Sequence, residues 1–135
     1  MSLVLDASAA VEVVLQRKWA RKIAASLAED DEVLVPMIYL AEVTNTFWKY
    51  YRMEELSTDQ CESAMERAKG LPDSFVPELD LYREAFAMAC LTGLPTYDMF
   101  YLVLARRNNG TLLTMDARLR RVAKQHDVRV LSLED

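Results

Sequence analysis

Four acidic residues, Asp6, Glu42, Asp98 and Asp116, stand where carboxylates from separate elements can converge. Asp6 closes the apolar run Leu3-Val4-Leu5, and Glu42 opens a helix soon after the strand-like Val33-Leu34-Val35-Pro36. Asp98 starts the apolar helix 99–105, and Asp116 follows Thr111-Leu112-Leu113-Thr114-Met115. Two carboxylates about 4 Å apart repel by roughly 4 kcal/mol at an effective dielectric of about 20. A four-acid cleft therefore either retains protons or binds a cation. Mg²⁺ and Mn²⁺ prefer such oxygen ligands. With either ion the site could lower the pKa of a water and neutralise a phosphoryl oxygen, which are the needs of phosphodiester hydrolysis. Ser8 and Thr114 carry hydroxyls near the acids. They could orient a carboxylate or a metal-bound water, or bond only to local backbone, with Ser8 as a helix N-cap.

Other metal, phosphate and covalent chemistries lack their residues. His126 is the single histidine, and Cys61 and Cys90 form no CxxC or Cys/His cluster, so zinc is disfavoured. Asp6 is followed by Ala7-Ser8, not by the Asp-x-Asp of a haloacid-dehalogenase-type phosphatase. Neither the early acidic pair nor the final-strand lysine of a response-regulator receiver is seen. Three glycines in total exclude a Gly-rich nucleotide cradle. No Ser/His/Asp or Cys/His arrangement is available for covalent catalysis.

The elements that must position the acids alternate between strand and helix. Ser2 to Leu5 reads as a continuous apolar strand of the kind buried in parallel sheets. Helices are expected over about 9–16 and 19–28, and Asp30-Asp31 turns the chain into the strand 33–36. In the helix 40–52, Leu40, Val43, Thr44, Phe47, Trp48 and Tyr51 form an apolar stripe that assigns Trp48 and Tyr51 to the core. Glu42, Asn45, Lys49 and Arg52 share another face, and Tyr50 lies off the stripe as a candidate partner contact. Ser57-Thr58-Asp59-Gln60 is a capping box that opens a helix burying Cys61, Ala64, Met65 and Ala68. A short strand 74–76 follows, then an amphipathic helix 81–92 ending at Gly93. The helix 99–105 is apolar almost all round and should be central. A turn at Asn108-Asn109-Gly110 leads to strand 111–114, a basic helix 116–126 and a last strand 128–131. This order implies an α/β fold, a parallel sheet with helices on both faces. Ligands bind such sheets at the carboxyl ends of the strands, where Asp6, Glu42 and Asp116 fall.

Length and composition fit one domain over 1–135 with a core sufficient to fold without disulfide or structural metal. No run approaches a membrane span and no basic n-region precedes the first strand, so a cytoplasmic protein with reduced, buried cysteines is expected. The net charge of −5 is unevenly spread. Between Ala105 and Val130, seven basic residues meet only Asp116 and Asp127, an excess of five positive charges that leaves ten negative elsewhere. That segment is either a solvated surface or a track for a polyanion, with Arg118, Arg121 and Lys124 as contacts and Lys49 and Arg52 as further candidates.

The chain resembles a PIN-domain ribonuclease, particularly the VapC toxins of type II toxin–antitoxin systems. The resemblance spans nearly the whole chain. It rests on Leu3-Val4-Leu5-Asp6-Ala7-Ser8, on Leu40-Ala41-Glu42-Val43-Thr44-Asn45, and most specifically on Gly93-Leu94-Pro95-Thr96-Tyr97-Asp98-Met99-Phe100-Tyr101 continuing to Leu113-Thr114-Met115-Asp116-Ala117-Arg118. It implies a three-layer α/β/α sandwich around a short, mostly parallel sheet. It also implies Mg²⁺- or Mn²⁺-dependent endonucleolytic cleavage of RNA. Asp6, Glu42, Asp98 and Asp116 match the family's acidic quartet and Thr114 its supporting hydroxyl. A homodimer and a cognate antitoxin are implied as partners. Two other roles are compatible with the same residues: a PIN nuclease of RNA processing or DNA cleavage, and a PIN-like scaffold that binds without cutting.

Overall fold

The computed structural model describes residues 1–29 and 32–134, so the expected turn at Asp30-Asp31 lies outside the described residues. The elements are β1 (Ser2–Leu5), α1 (Ala7–Val14), α2 (Ala20–Leu27), β2 (Glu32–Pro36), α3 (Ile38–Arg52), α4 (Thr58–Lys69), β3 (Ser74–Val76), a single 3₁₀ turn (Glu78–Asp80), α5 (Tyr82–Thr92), α6 (Thr96–Arg107), β4 (Thr111–Leu113), α7 (Ala117–Gln125) and β5 (Arg129–Val130). The strands form one sheet in the order β3-β2-β1-β4-β5, and every pairing is parallel. Parallel neighbours require crossovers, and crossovers are right-handed. The chain therefore moves outward from β1 to β3 over one face and returns through α5 and α6 over the other. The packing agrees: α1 touches α2, α3 and α4, whereas α6 touches α5 and α7. Three layers result.

β1 sits between β2 and β4, and its residues Leu3, Val4 and Leu5 are buried. The apolar run of α6 behaves as its sequence implies, with Met99 to Ala105 all buried against β1, β2 and β4. Among the described residues no single helix is long and apolar enough to cross a membrane. Ser57 and Gln60 make the expected reciprocal capping box at α4, and Gly93 ends α5 at φ 78, a left-handed conformation that glycine adopts without a Cβ penalty.

Three expectations need correction. On α3 the buried residues are Tyr39, Val43 and Phe47, four apart. The core face is thus centred one residue earlier than the expected stripe. Trp48 and Tyr51 fall outside it and are each 51% exposed, with the Arg52 guanidinium over the Trp48 ring. Tyr50, expected outside, is half-buried with its ring 5.9 Å from that of Phe47. Cys61 is buried, but Cys90 is exposed, because α5 buries Ala85 and Met88 and Cys90 lies about 200° round the helix from Met88.

The loop into β4 passes tightly under β1. A Cβ on Gly110 would stand 2.8 Å from the carbonyl oxygen of Ser2. The obstruction is backbone in the central strand pair, so it cannot swing aside. Gly110→Ala should destabilise the fold by about 1–3 kcal/mol, the usual scale for overpacking, as read from the midpoint of urea unfolding.

Candidate active site

The sheet order brings the ends of β1 and β4 together. Asp6 N–H donates to the Leu113 carbonyl at 2.9 Å, extending the ladder by one residue and setting Asp6 beside Thr114. The chain then turns into α1, whose first free N–H groups, those of Ala9 and Ala10, bond to the Asp6 carbonyl. An aspartate at this position ordinarily caps the helix with its side chain. Here the side chain makes no cap bond. Its Oδ2 instead accepts from Thr114 Oγ1 at 2.6 Å and from Ser8 Oγ at 2.8 Å. Ser8 Oγ also accepts the Met115 N–H, and Thr114 Oγ1 accepts the Asp116 N–H. The two hydroxyls thus tie the start of α1 to the loop after β4. Both serve the carboxylate, and Ser8 is not the helix cap.

The other three acids reach the same space from different elements. Glu42 lies in the second turn of α3, which starts where β2 ends. Its Oε1 accepts a 2.6 Å hydrogen bond from the hydroxyl of the fully buried Tyr101 on α6. Asp98 lies within the first turn of α6, two residues inside the helix start. Asp116 caps α7, with Oδ1 accepting from the Arg118 and Leu119 N–H groups. All four line one cleft of about 370 Å³, together with Ser8, Glu12, Arg17, Thr46 and Tyr50.

The electrostatics follow from burial and mutual repulsion. Burial raises the Asp6 pKa above its ordinary value against the lowering effect of the Thr114 and Ser8 hydroxyls, and the Asp116 charge adds to the rise. Glu42 is pushed up to about 7, chiefly by burial, with the Asp6 and Asp98 charges raising it and the Tyr101 hydrogen bond opposing. Asp98 is pushed up to about 6 by burial and by the charges of Asp6 and Asp116, with Arg118 pulling the other way. Among the described residues no three His, Cys, Asp or Glu side chains already stand as a closed ligand cluster. The donors are all oxygen, contributed from four elements around an open space. That chemistry suits a hard divalent ion that keeps several waters while taking one or two carboxylates.

The remaining sequence candidates divide. Arg118 stands close enough to Asp98 to lower its pKa, so it borders the cleft. Arg121 is exposed on the same helix. Lys124 lies with Thr111, Asp127 and Arg129 at the opposite edge of the sheet, since α7 runs back antiparallel to β4. Asn45, Lys49 and Arg52 are exposed on α3 and do not line the cleft, and Arg52 instead borders a groove with Trp48, Tyr51 and Leu56. The basic excess near the C-terminus is partly neutralised from outside that segment. Glu84 on α5 accepts from both Arg106 and Arg107, at 2.5 and 2.8 Å.

Sequence reasoning missed Tyr101, Glu12 and Arg17, and singled out Tyr50 only as a partner contact, whereas it lines the cleft. Tyr101 carried a signal, being a phenol three residues after Asp98 in a helix otherwise apolar, where a buried hydroxyl needs a partner. Glu12 carried another, a lone acid inside Ala7-Ser8-Ala9-Ala10-Val11-Glu12-Val13-Val14. Arg17 carried none.

The PIN domain family model matches residues 3–125, and the chain belongs to that family. Within it, the chain is 29% identical over 123 residues to ribonuclease VapC3 of Pyrobaculum aerophilum, a match covering 88% of this chain and 92% of that protein. Its fold is similar to the crystal structure of PAE2754 from P. aerophilum, at TM-score 0.71 and 20% identity over 90% of this chain and 86% of the other. It is likewise similar to a chain in the structure of VapBC2 from Rickettsia felis bound to a promoter DNA fragment, at TM-score 0.69 and 17% identity over 97% and 98% of the two chains.

Two outcomes follow from this geometry. Thr114→Val leaves the buried Asp6 carboxylate short of a donor and should cost about 1–3 kcal/mol in chemical unfolding at pH 8. The raised pKa values of Glu42 and Asp98 mean that the folded state holds protons which the unfolded chain releases at lower pH. Their stabilising effect is present below the unfolded pKa values and is lost as pH rises through about 6 and 7. In EDTA the melting temperature should therefore fall between pH 5 and pH 8. Asp98→Asn should flatten that fall and raise the melting temperature at pH 8 by a few °C, roughly the equivalent of 1 kcal/mol in a domain of this size.

Proposed function

We propose that this chain is a Mg²⁺- or Mn²⁺-dependent endoribonuclease and the toxin of a toxin–antitoxin pair. The observation that carries the reading is the cleft lined by Asp6, Glu42, Asp98 and Asp116, with Asp6 held by two hydroxyls. Scaffolds have no need of four mutually repelling carboxylates, and none of the four is neutralised by an ion pair among the described residues. The likeness to ribonuclease VapC3 supports RNA as substrate, and the similar fold in VapBC2 supports an antitoxin as partner.

In this reading the four acids supply oxygen ligands to the ion. When bound, the ion would acidify a water and neutralise charge on the phosphoryl oxygens. Thr114 and Ser8 hold the Asp6 carboxylate in place through Oδ2. Tyr101 does the same for Glu42 through Oε1. Hydrolysis joins a water oxygen to phosphorus and breaks one phosphorus–oxygen bond to ribose, and a proton given up by the water ends on the departing ribose oxygen. With the ion bound, Glu42 and Asp98 would be held ionised as ligands, so the proton would travel through solvent rather than rest on them. Arg118 at the rim offsets the acids for an incoming polyanion.

The exposed Trp48 and Tyr51 beside Leu56, with Arg52, Glu54 and Glu55 around them, offer a groove for an antitoxin helix. Leu79, Tyr82, Phe86 and Leu91, exposed about α5, offer a second surface for a homodimer. Such a toxin would act in the cytoplasm, where its RNA is.

Cleavage of structured RNA with Mg²⁺ or Mn²⁺ is the deciding measurement. Asp6→Asn and Asp98→Asn should each lower the rate by at least about a hundredfold, and EDTA should abolish it. Cleavage that survives both substitutions or EDTA would sink the site. Binding without cleavage, and no rise in melting temperature with millimolar Mn²⁺, would favour a scaffold. Cleavage of DNA in preference to RNA would favour a nuclease outside toxin–antitoxin systems.

A further inference from the structure

The acidic cleft carries one basic side chain among its described lining residues, Arg17. It lies in the turn between α1 and α2, and two of the bonds that hold that turn go to one residue, Glu12. Glu12 is only 7% exposed in the middle of α1. Its carbonyl accepts the Arg17 N–H at 3.0 Å, and its Oε2 accepts the Trp19 N–H at 2.9 Å. Between the helix and these bonds, Gln16 takes φ 53, which lets the chain reverse within one residue. A buried carboxylate spent on a loop amide holds the loop in one shape. The shape sets the Arg17 guanidinium over the Tyr50 ring, 5.1 Å from its centroid. Tyr50 is itself braced against Phe47 in the core. Among the described residues Arg17 makes no ion pair with any of the acids lining the same cleft.

We propose that Arg17 is a substrate-positioning residue, gripping a backbone phosphate of a single RNA strand beside the phosphate being cleaved. The inference rests on the ribonuclease reading above. Four carboxylates repel a polyanion, so a strand entering this cleft needs a fixed cation beside it. A guanidinium gives a planar, two-pronged contact to phosphate oxygens, and the ring beneath keeps its plane oriented without consuming its N–H groups. The backbone of Arg17 lies past the far end of α1, whose first residue adjoins Asp6, and eight helical residues span about 12 Å. Arg17 thus enters the cleft from the side away from the start of that helix, where it is placed to hold the strand beside the reacting phosphate. Arg118, at the start of α7, borders the cleft from another element.

The experiment compares wild-type protein, Arg17→Ala and Arg17→Lys on one cleavable single-stranded RNA and on a dinucleotide too short to span the cleft. For Arg17→Ala on the long substrate, KM should rise by roughly ten- to a hundredfold, as for loss of a charged hydrogen bond, while kcat changes little. The slope of log Kd against log salt should fall by about 0.7, measured by anisotropy of labelled RNA in the Asp98→Asn background. On the dinucleotide the two proteins should behave alike. Arg17→Lys should retain the salt slope but recover only part of the affinity. Unchanged KM and slope for Arg17→Ala would overturn the proposal, as would an equal loss on the dinucleotide or an effect confined to binding a partner protein. A lower melting temperature with KM unchanged would assign Arg17 to stability and overturn it too. If wild-type protein cleaves no RNA with either metal, the ribonuclease reading itself falls, a result distinct from active wild type with an indifferent Arg17.

Discussion

Placing an aspartate at the buried end of a central parallel strand is the constraint on which the rest of this structure depends. Asp6 is 8% exposed, between two neighbouring strands and under a helix start. Such a carboxylate must be hydrogen-bonded or remain protonated. Thr114 and Ser8 meet that need from either side, and in doing so they join the beginning of the chain to residues more than a hundred positions later. The diversion of the Asp6 side chain from capping α1 follows from the same demand. The two donors and the helix amides compete for the carboxylate, and the hydroxyls take it. Asp116, on the open side of the cleft, caps its helix in the ordinary way.

The second consequence is that the acids hold one another's protons. Glu42 reaches about 7 and Asp98 about 6 because each is partly removed from water and sees the other acids across a small space. Tyr101 limits the rise at Glu42 by donating to it, and it does so from inside the core. The buried phenol is satisfied and the carboxylate is aimed by one bond. α6 thereby acts both as the apolar filling of the sheet's face and as the support for two of the four acids. Any shift of α6 would move Asp98 and Tyr101 together.

Much of this was legible in the chain. Alternating strand and helix patterns, the Ser57–Gln60 capping box, the Gly93 stop and the all-round apolar 99–105 segment correspond to the elements found. These are local signals, carried by residues within a turn or two of one another. The misreadings have one common cause. On α3, assigning Trp48 and Tyr51 to the core required knowing the rotation of the helix, and a stripe 100° round looks equally apolar in sequence. The same ignorance of facing surfaces left the basic C-terminal segment open between a solvated surface and a polyanion track. Arg106 and Arg107 are in fact taken by Glu84 from α5, and Lys124 points away to the other edge of the sheet.

What the sequence determined by itself was the set of donors: four acids at element ends, hydroxyls beside them, and the absence of the His, Cys and Gly patterns that other chemistries require. Side-chain type limits chemistry regardless of fold, so that conclusion needed no coordinates. Only the tertiary structure decided which groups share one space and how each is charged there. Convergence depends on strand order, and pKa depends on burial and on neighbours distant in the chain. Arg17 shows the difference most clearly. Nothing about its position in the sequence marks it, and its place over Tyr50 at the cleft comes from a turn to which a buried glutamate is bonded.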